Sequence, residues 1–242
     1  MRYSATLLAF MLCAVADAAD DPLAKSRQCL VVITDSWTST EGKMSIFERE
    51  PNAHSPWQRR KSGIAVRVGR NGLAWGRGLI KTASWPGPMK REGDDKAPAG
   101  IFRLQSVFGY KRETKMSFVA LSENVVAVDD PQSRYYNQLV DRSKIDNPDW
   151  RSAEKLSGVD VYKLGVVVEQ NSPPKPGAGS CIFLHVWKTP GTPTSGCTAM
   201  SENDLVDVIR WLDPAQQPLL VEMPQSSYEV LRTKWNLPAL LR

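Results

Sequence analysis

Apolar positions along this chain fall mainly into short blocks of strand length. Cys29-Leu-Val-Val-Ile-Thr34 is a continuous apolar and β-branched run, the pattern of a strand buried on both faces. Met44–Arg49 is a second candidate, and Gly63–Val68 alternates as a half-buried strand does. Further strands are predicted at Ile101–Val107, Ser117–Leu121, Val125–Val128, Leu164–Gln170, Cys181–Trp187 and Leu219–Met223. Helical spacing appears at Ser201–Leu212, opened by the capping pair Ser201 and Asp204, and at Ser226–Trp235, with Tyr228, Leu231 and Trp235 on one face. Trp150–Leu156 fits a short third helix. Between the early and middle strands, 71–100 is punctuated by Gly, Trp and Pro and predicts a long surface loop. The sum is a β-rich α+β fold with curved or sandwiched sheets and a few helices. No linker divides residues 19–242, which are expected to form a single domain.

The first residues change the picture of where the protein works. Arg2 precedes an apolar stretch from Ala5 to Ala16, and Ala16-Asp17-Ala18 is a small-x-small cleavage pattern. Residues 1–18 therefore predict a secretory signal peptide and a periplasmic or secreted mature protein without stable membrane insertion. Cys13 follows Leu12, where a lipoprotein signal carries a small residue, so it is expected to leave with the signal. Cleavage removes Arg2 and Asp17, one charge of each sign, and the net charge stays at +5. That basicity suits contact with an anionic envelope. No nucleic-acid-binding pattern accompanies it, so nucleic acid is not an expected partner.

Cys29, Cys181 and Cys197 remain after processing. An odd count in an oxidising compartment fits one free thiol and one disulfide, and Cys29–Cys181 is the natural pair if Cys197 stays reduced for chemistry. The sequence holds two histidines. His54 lies in a polar loop between prolines and reads as solvated. His185 ends the apolar run Cys181-Ile-Phe-Leu-His185, so its imidazole needs a hydrogen-bond partner. It fits either a satisfied core histidine or a catalytic base.

The stretch after it favours the base. Lys188–Gly196 is a Pro, Gly and Thr-rich loop that ends in Thr194-Ser-Gly-Cys197 and can turn the chain back on itself. A thiolate nucleophile needs a base within hydrogen-bond reach and N–H groups facing the developing oxyanion, and a Gly-Cys turn supplies such donors. In a strand, Cys181 and His185 would stand about 13 Å apart, at roughly 3.3 Å per residue, too far to pair. Cys197 has no such restriction, although an inert buried thiol is its alternative. Glu92, Asp94 and Asp95 fit either a subsite for a substrate amine or a solvated acidic loop. Trp75, Trp85 and Trp187 fit either a peptide groove or the core. Asp129-Asp130 has no His or Cys-x-x-Cys companion, so neither a metal nor another cofactor is expected.

His185 followed by Thr194-Ser-Gly-Cys197 resembles the signature of L,D-transpeptidase (YkuD-like) catalytic domains, in which a His and a spacer precede Ser/Thr-His-Gly-Cys. Lys90-Arg-Glu-Gly-Asp94 and Ala97-Pro-Ala-Gly-Ile-Phe102 resemble the family's upstream Gly-Asp and Pro-x-Gly-x-Phe segments. Ser195 stands where the family has a second His, Ala199 stands where Arg or Asn is common, and the spacer is short. The resemblance implies curved or sandwiched mixed β-sheets and acyl transfer on peptidoglycan stem peptides. Cys197 would be the nucleophile, His185 its base and the Val186 carbonyl the group that orients the ring. The Gly196 and Cys197 N–H groups would face the oxyanion, and Thr194, Ser195 and Trp187 would contact substrate. D-Alanine would leave from a tetrapeptide stem, and an amine of a second stem or of an envelope protein would resolve the thioester. Two rivals stand beside this reading: a hydrolase of the same fold, and a non-catalytic wall-binding protein.

Overall fold

The apolar run at Cys29 becomes the centre of the molecule because it is covered on both faces and paired on both edges. A computed structural model describes residues 21–51, 55–82 and 84–240. The expected signal peptide with Cys13, and His54, lie outside these residues. The strands are β1 (Gln28–Thr34), β2 (Glu41–Glu48), β3 (Gln58–Arg67), β4 (Leu73–Trp75), β5 (Ala97–Gly109), β6 (Ser117–Ala120), β7 (Val125–Val128), β8 (Gln138–Asp141), β9 (Glu154–Lys155), β10 (Leu164–Val168), β11 (Phe183–Val186), β12 (Thr198–Met200) and β13 (Leu219–Pro224). The helices are α1 (Glu202–Trp211) and α2 (Gln225–Leu231).

β1 runs parallel to β13 and antiparallel to β2. The sheet continues in the order β10-β11-β12-β3-β2-β1-β13-β5, and β10 also pairs with β5. These strands thus close into a ring, which removes the exposed edges of an open sheet. β5 makes closure possible through its length of 13 residues. Its first half pairs with β13 and β4, and its second half with β10 and β6. A small separate sheet, β8-β7-β9, lies beside the ring in the chain between β6 and β10.

Both predicted helices form. Ser201 Oγ caps α1 by accepting from the Asp204 N–H at 3.1 Å, and Leu205, Val208, Ile209 and Leu212 are buried. That apolar stripe, at helical spacing, packs α1 on the sheet. α2 is shorter than expected but still buries Tyr228, Leu231 and the following Trp235. No helix among the described residues is long and apolar enough to cross a membrane.

The differences from expectation have local causes. The stretch 71–100 is not all loop, because Leu73–Trp75 pairs with Ala97–Ala99 and extends β5 backward. Trp150–Leu156 is not helical. Glu154 and Lys155 pair with Ala127 and Val126 instead, and so short a segment has too few turns to offset helix nucleation. Cys181 is not part of a strand, since its φ of 53° puts it in the left-handed region and β11 begins two residues later. The Cys29–Cys181 disulfide does not form, and all three described cysteines are free thiols. Around the ring, three strands separate β1 from β11 in either direction, so the two residues lie on opposite sides.

Candidate active site

β11 and β12 are parallel neighbours, with Leu184 opposite Thr198 and His185 opposite Ala199. This register carries Cys197, one residue before β12, to the end of the ring where His185 sits. The intervening loop is fastened from several sides. Thr194 N–H donates to Val68 O at 2.9 Å, and Arg70 N–H donates to Thr194 O at 2.8 Å. Thr194 Oγ1 donates to Cys197 O at 2.6 Å and accepts from Gly196 N–H at 3.0 Å. Gly196 has φ 144°, and a Cβ there would approach Lys96 O to 3.1 Å, so the turn requires glycine.

His185 is 6% exposed, with Nδ1 2.8 Å from Val186 O. A carbonyl only accepts, so Nδ1 carries the proton and Nε2 is left as the basic nitrogen. The ring rests on an aromatic stack: Tyr162 lies 5.2 Å from it edge-on, Phe183 is 6.1 Å from Tyr162, and Phe108 is 5.0 Å from Phe183. Gly165, opposite His185 in register, makes room for the stack, since a Cβ there would sit 2.3 Å from Phe108 Cζ. Burial lowers the His185 pKa from its ordinary value, against the Val186 hydrogen bond that raises it.

Cys197 is 8% exposed. Its Sγ accepts from Phe183 N–H at 3.3 Å, and its S–H is directed at Cys181 O, 3.7 Å away. Burial pushes the thiol pKa up to about 12, with the Phe183 N–H opposing. At neutral pH the resting pair is therefore a thiol and a neutral imidazole. The two line one open cleft of about 550 Å³, but no hydrogen bond joins them at rest. Catalytic hydrogen bonds commonly tighten only when substrate binds.

The other sequence candidates divide. Trp187 and Ser195 line the cleft, and Ser195 Oγ accepts from Arg70 Nη2 at 2.6 Å. Thr194 reaches the cleft too, but its hydroxyl serves the turn. The Gly196 N–H is likewise taken by Thr194, whereas the Cys197 N–H has no acceptor among the described residues. Trp75 is in the core against Trp37, and Trp85 packs on Trp235, both away from the cleft. Asp94 pairs with Lys90 and accepts from two backbone N–H groups, while Asp95 lies 3.7 Å from Arg70. Asp130 accepts from the N–H groups of Gln132 and Arg151. The residues that sequence reasoning missed are Tyr162, Glu154 and Arg70, which carry no motif. Cys181 lies outside any strand, so the strand-spacing argument does not apply to it, and it lines the same cleft.

The family model of the L,D-transpeptidase catalytic domain (YkuD) matches residues 55–221. The chain belongs to this family. No curated protein matches it. Membership supports L,D-transpeptidase-family activity on peptidoglycan peptides. The matched residues run from β3 into β13 and include the whole loop from His185 to Cys197, as well as both upstream segments.

Thr198, the residue after Cys197, holds a buried acid. Both Glu222 carboxyl oxygens are 2.9 Å from Thr198 Oγ1, and the residue is fully buried. Burial raises its pKa to about 8, against the Thr198 hydrogen bond that lowers it. The folded state therefore binds a proton that the unfolded state releases near pH 4.5, and the contribution of Glu222 to stability falls as pH rises from about 5 to 8. Glu222→Gln, which cannot ionise, is expected to flatten this slope and to be relatively more stable at pH 8.5 by a few kcal/mol, at ~1.4 kcal/mol per pKa unit. Denaturant midpoints of both proteins at pH 5.5 and 8.5 check it, and parallel slopes would contradict it.

Proposed function

We propose that the protein is an exported cysteine acyltransferase, an L,D-transpeptidase that uses Cys197 to form a thioester with peptidoglycan tetrapeptide stems. Residues 1–18 serve as its cleaved signal, and 19–242 form one catalytic domain in the periplasm or outside the cell. The observation that carries the reading is the His185 ring, fixed by Val186 O through Nδ1 so that Nε2 is free beside a cleft holding a thiol.

In the acylation step, substrate binding turns the Cys197 thiol from Cys181 O toward Nε2, which takes its proton. The sulfur attacks the carbonyl at the L-centre of diaminopimelate. The oxyanion develops at the Cys197 N–H, the donor left without an acceptor. Gly196 contributes by its backbone conformation, and its N–H joins the oxyanion contact only if Thr194 releases it. The C–N bond to D-alanine then breaks, and His185 returns the proton to the leaving amine. Val186 O stands in for an acidic triad member, while Ser195, held by Arg70, and Trp187 face the peptide.

The test is mass-resolved product analysis of the mature protein with purified disaccharide-tetrapeptide, with and without an amine acceptor. Cross-linked or exchanged product is expected in the presence of acceptor. D-Alanine release without any amine product would make the protein a hydrolase.

A further inference from the structure

The cleft carries an unbalanced charge. Glu92, Asp129 and Glu154 come from three separate segments and all line it. The pairing of β7 with β9, which sets Ala127 opposite Glu154, brings the last two to the same wall. Each carboxylate is held by a hydroxyl: Tyr136 donates to Glu92, Ser152 to Asp129 at 2.6 Å, and Tyr162 to Glu154 at 2.7 Å. None of the three has a Lys or Arg partner among the described residues. The cations at the cleft do not neutralise them. Lys90 is paired with Asp94, and Lys188 is exposed on the loop after Trp187.

This arrangement works against the nucleophile. All three carboxylates hold the Cys181 thiol pKa up, after burial, and Glu154 does the same at Cys197, where Lys90 opposes it. Glu154 is itself raised, first by burial and then by Asp129. Unpaired negative charge beside a thiol that must ionise is a liability unless a cation arrives to fill the site. A separate observation points to a polar ligand. Ser180, 8% exposed and on the same wall, has a buried Oγ with no hydrogen-bond partner of good geometry, although the Tyr136 hydroxyl is close by. A buried hydroxyl left in this way normally has a partner.

We propose that Glu92, Asp129 and Glu154, together with Ser180, form the ammonium subsite that receives the primary amine of the acyl acceptor. The inference rests on the acyltransferase reading above and assigns its second step. The acceptor arrives as R–NH3⁺, and Glu154 takes one proton, leaving R–NH2 and a neutral carboxylic acid. The amine nitrogen attacks the thioester carbon; the C–N bond forms and the C–S bond breaks. The proton that the new amide nitrogen loses passes through His185 Nε2 to the Cys197 thiolate, and Glu154 returns its proton to solvent. An incoming cation also lowers the field that opposes Cys197 ionisation.

The mature protein, Asp129→Asn/Glu154→Gln and, separately, Glu92→Gln are compared with disaccharide-tetrapeptide as donor and disaccharide-tripeptide as acceptor. The carboxamides keep acceptor oxygens for Ser152, Tyr162 and Tyr136, so folding is expected to survive, and circular dichroism verifies it. Formation of the Cys197 adduct without acceptor is expected not to slow, and to quicken where the field of Glu154 on the thiol is removed. The acceptor concentration for half-maximal transfer is expected to rise at least tenfold in the double variant and by a smaller factor in Glu92→Gln. Unchanged acceptor dependence in both variants overturns the proposal. So does an equal slowing of adduct formation, which would assign the carboxylates to a cation of the donor. A wild-type protein that forms no Cys197 adduct fails on the acyltransferase reading itself and removes this inference with it.

Discussion

Cys197→Ala is expected to abolish D-alanine release from disaccharide-tetrapeptide, with a loss of at least about 10³-fold set by the loss of the covalent route. The substitution should leave the fold in place. Cys197 is buried, but its Sγ has only one donor, the Phe183 N–H, and a weak contact with Cys181 O. Leaving that N–H without a partner costs about 1–3 kcal/mol, against a ring of strands closed on both sides. Cys197→Ser, which keeps an acceptor for Phe183, separates the two effects: it should recover stability without recovering turnover. Release rates by mass spectrometry, together with thermal melts of both variants, check this. A Cys197→Ala protein that still releases D-alanine at the wild-type rate would move the chemistry elsewhere, with Cys181 the nearest other thiol.

His185→Gln is expected to lower turnover by about 10²- to 10⁴-fold and to change its pH dependence. In the wild type the base acts as neutral imidazole. Burial lowers the His185 pKa, so the neutral form persists as pH falls and the acid limb should lie below the ordinary histidine range. The Cys197 thiol, raised to about 12, offers little spontaneous thiolate at neutral pH. Without His185 the residual rate should therefore climb through pH 8–10 as hydroxide replaces the base. Iodoacetamide labelling of Cys197 across that range, in both proteins, reads the difference directly. Equal labelling at pH 7 would show that the imidazole does not assist the thiol.

The sequence carried most of the barrel and the pair at its end, but by different routes. The continuous β-branched run at Cys29 has the pattern of a strand buried on both faces, and β1 lies between β2 and β13. Ser201 with Asp204 marked the start of α1 because a side-chain cap is a local interaction. Short pieces were lost where pairing partners decide the conformation: β4 and β9 exist because Ala97–Ala99 and Ala127 receive them. β12 has three residues and no pattern of its own. At the site, the loop composition before Cys197 pointed to the proposed nucleophile, and the scarcity of histidines to the proposed base. The left-handed Cys181 was hidden, because a non-glycine residue at positive φ has no sequence mark, and it upset the argument from strand spacing. Tyr162, Glu154 and Asp129 were also out of reach, since their nearness to His185 depends on the β7–β9 pairing and on the turn at Asp160–Tyr162. The acidic segment Glu92–Asp95 shows both outcomes within four residues. Asp94 and Asp95 have cationic partners, and Glu92 faces the cleft without one.

A thioester on Cys197 can be seen by intact-mass measurement. The mature protein is mixed with disaccharide-tetrapeptide, quenched in acid within seconds and digested to locate any adduct. The expected result is a mass gain equal to the donor less D-alanine, located on Cys197, lost on addition of hydroxylamine and much slower to form in His185→Gln. An unmodified Cys197 under conditions where D-alanine is being released, or an adduct on Cys181 instead, would contradict it.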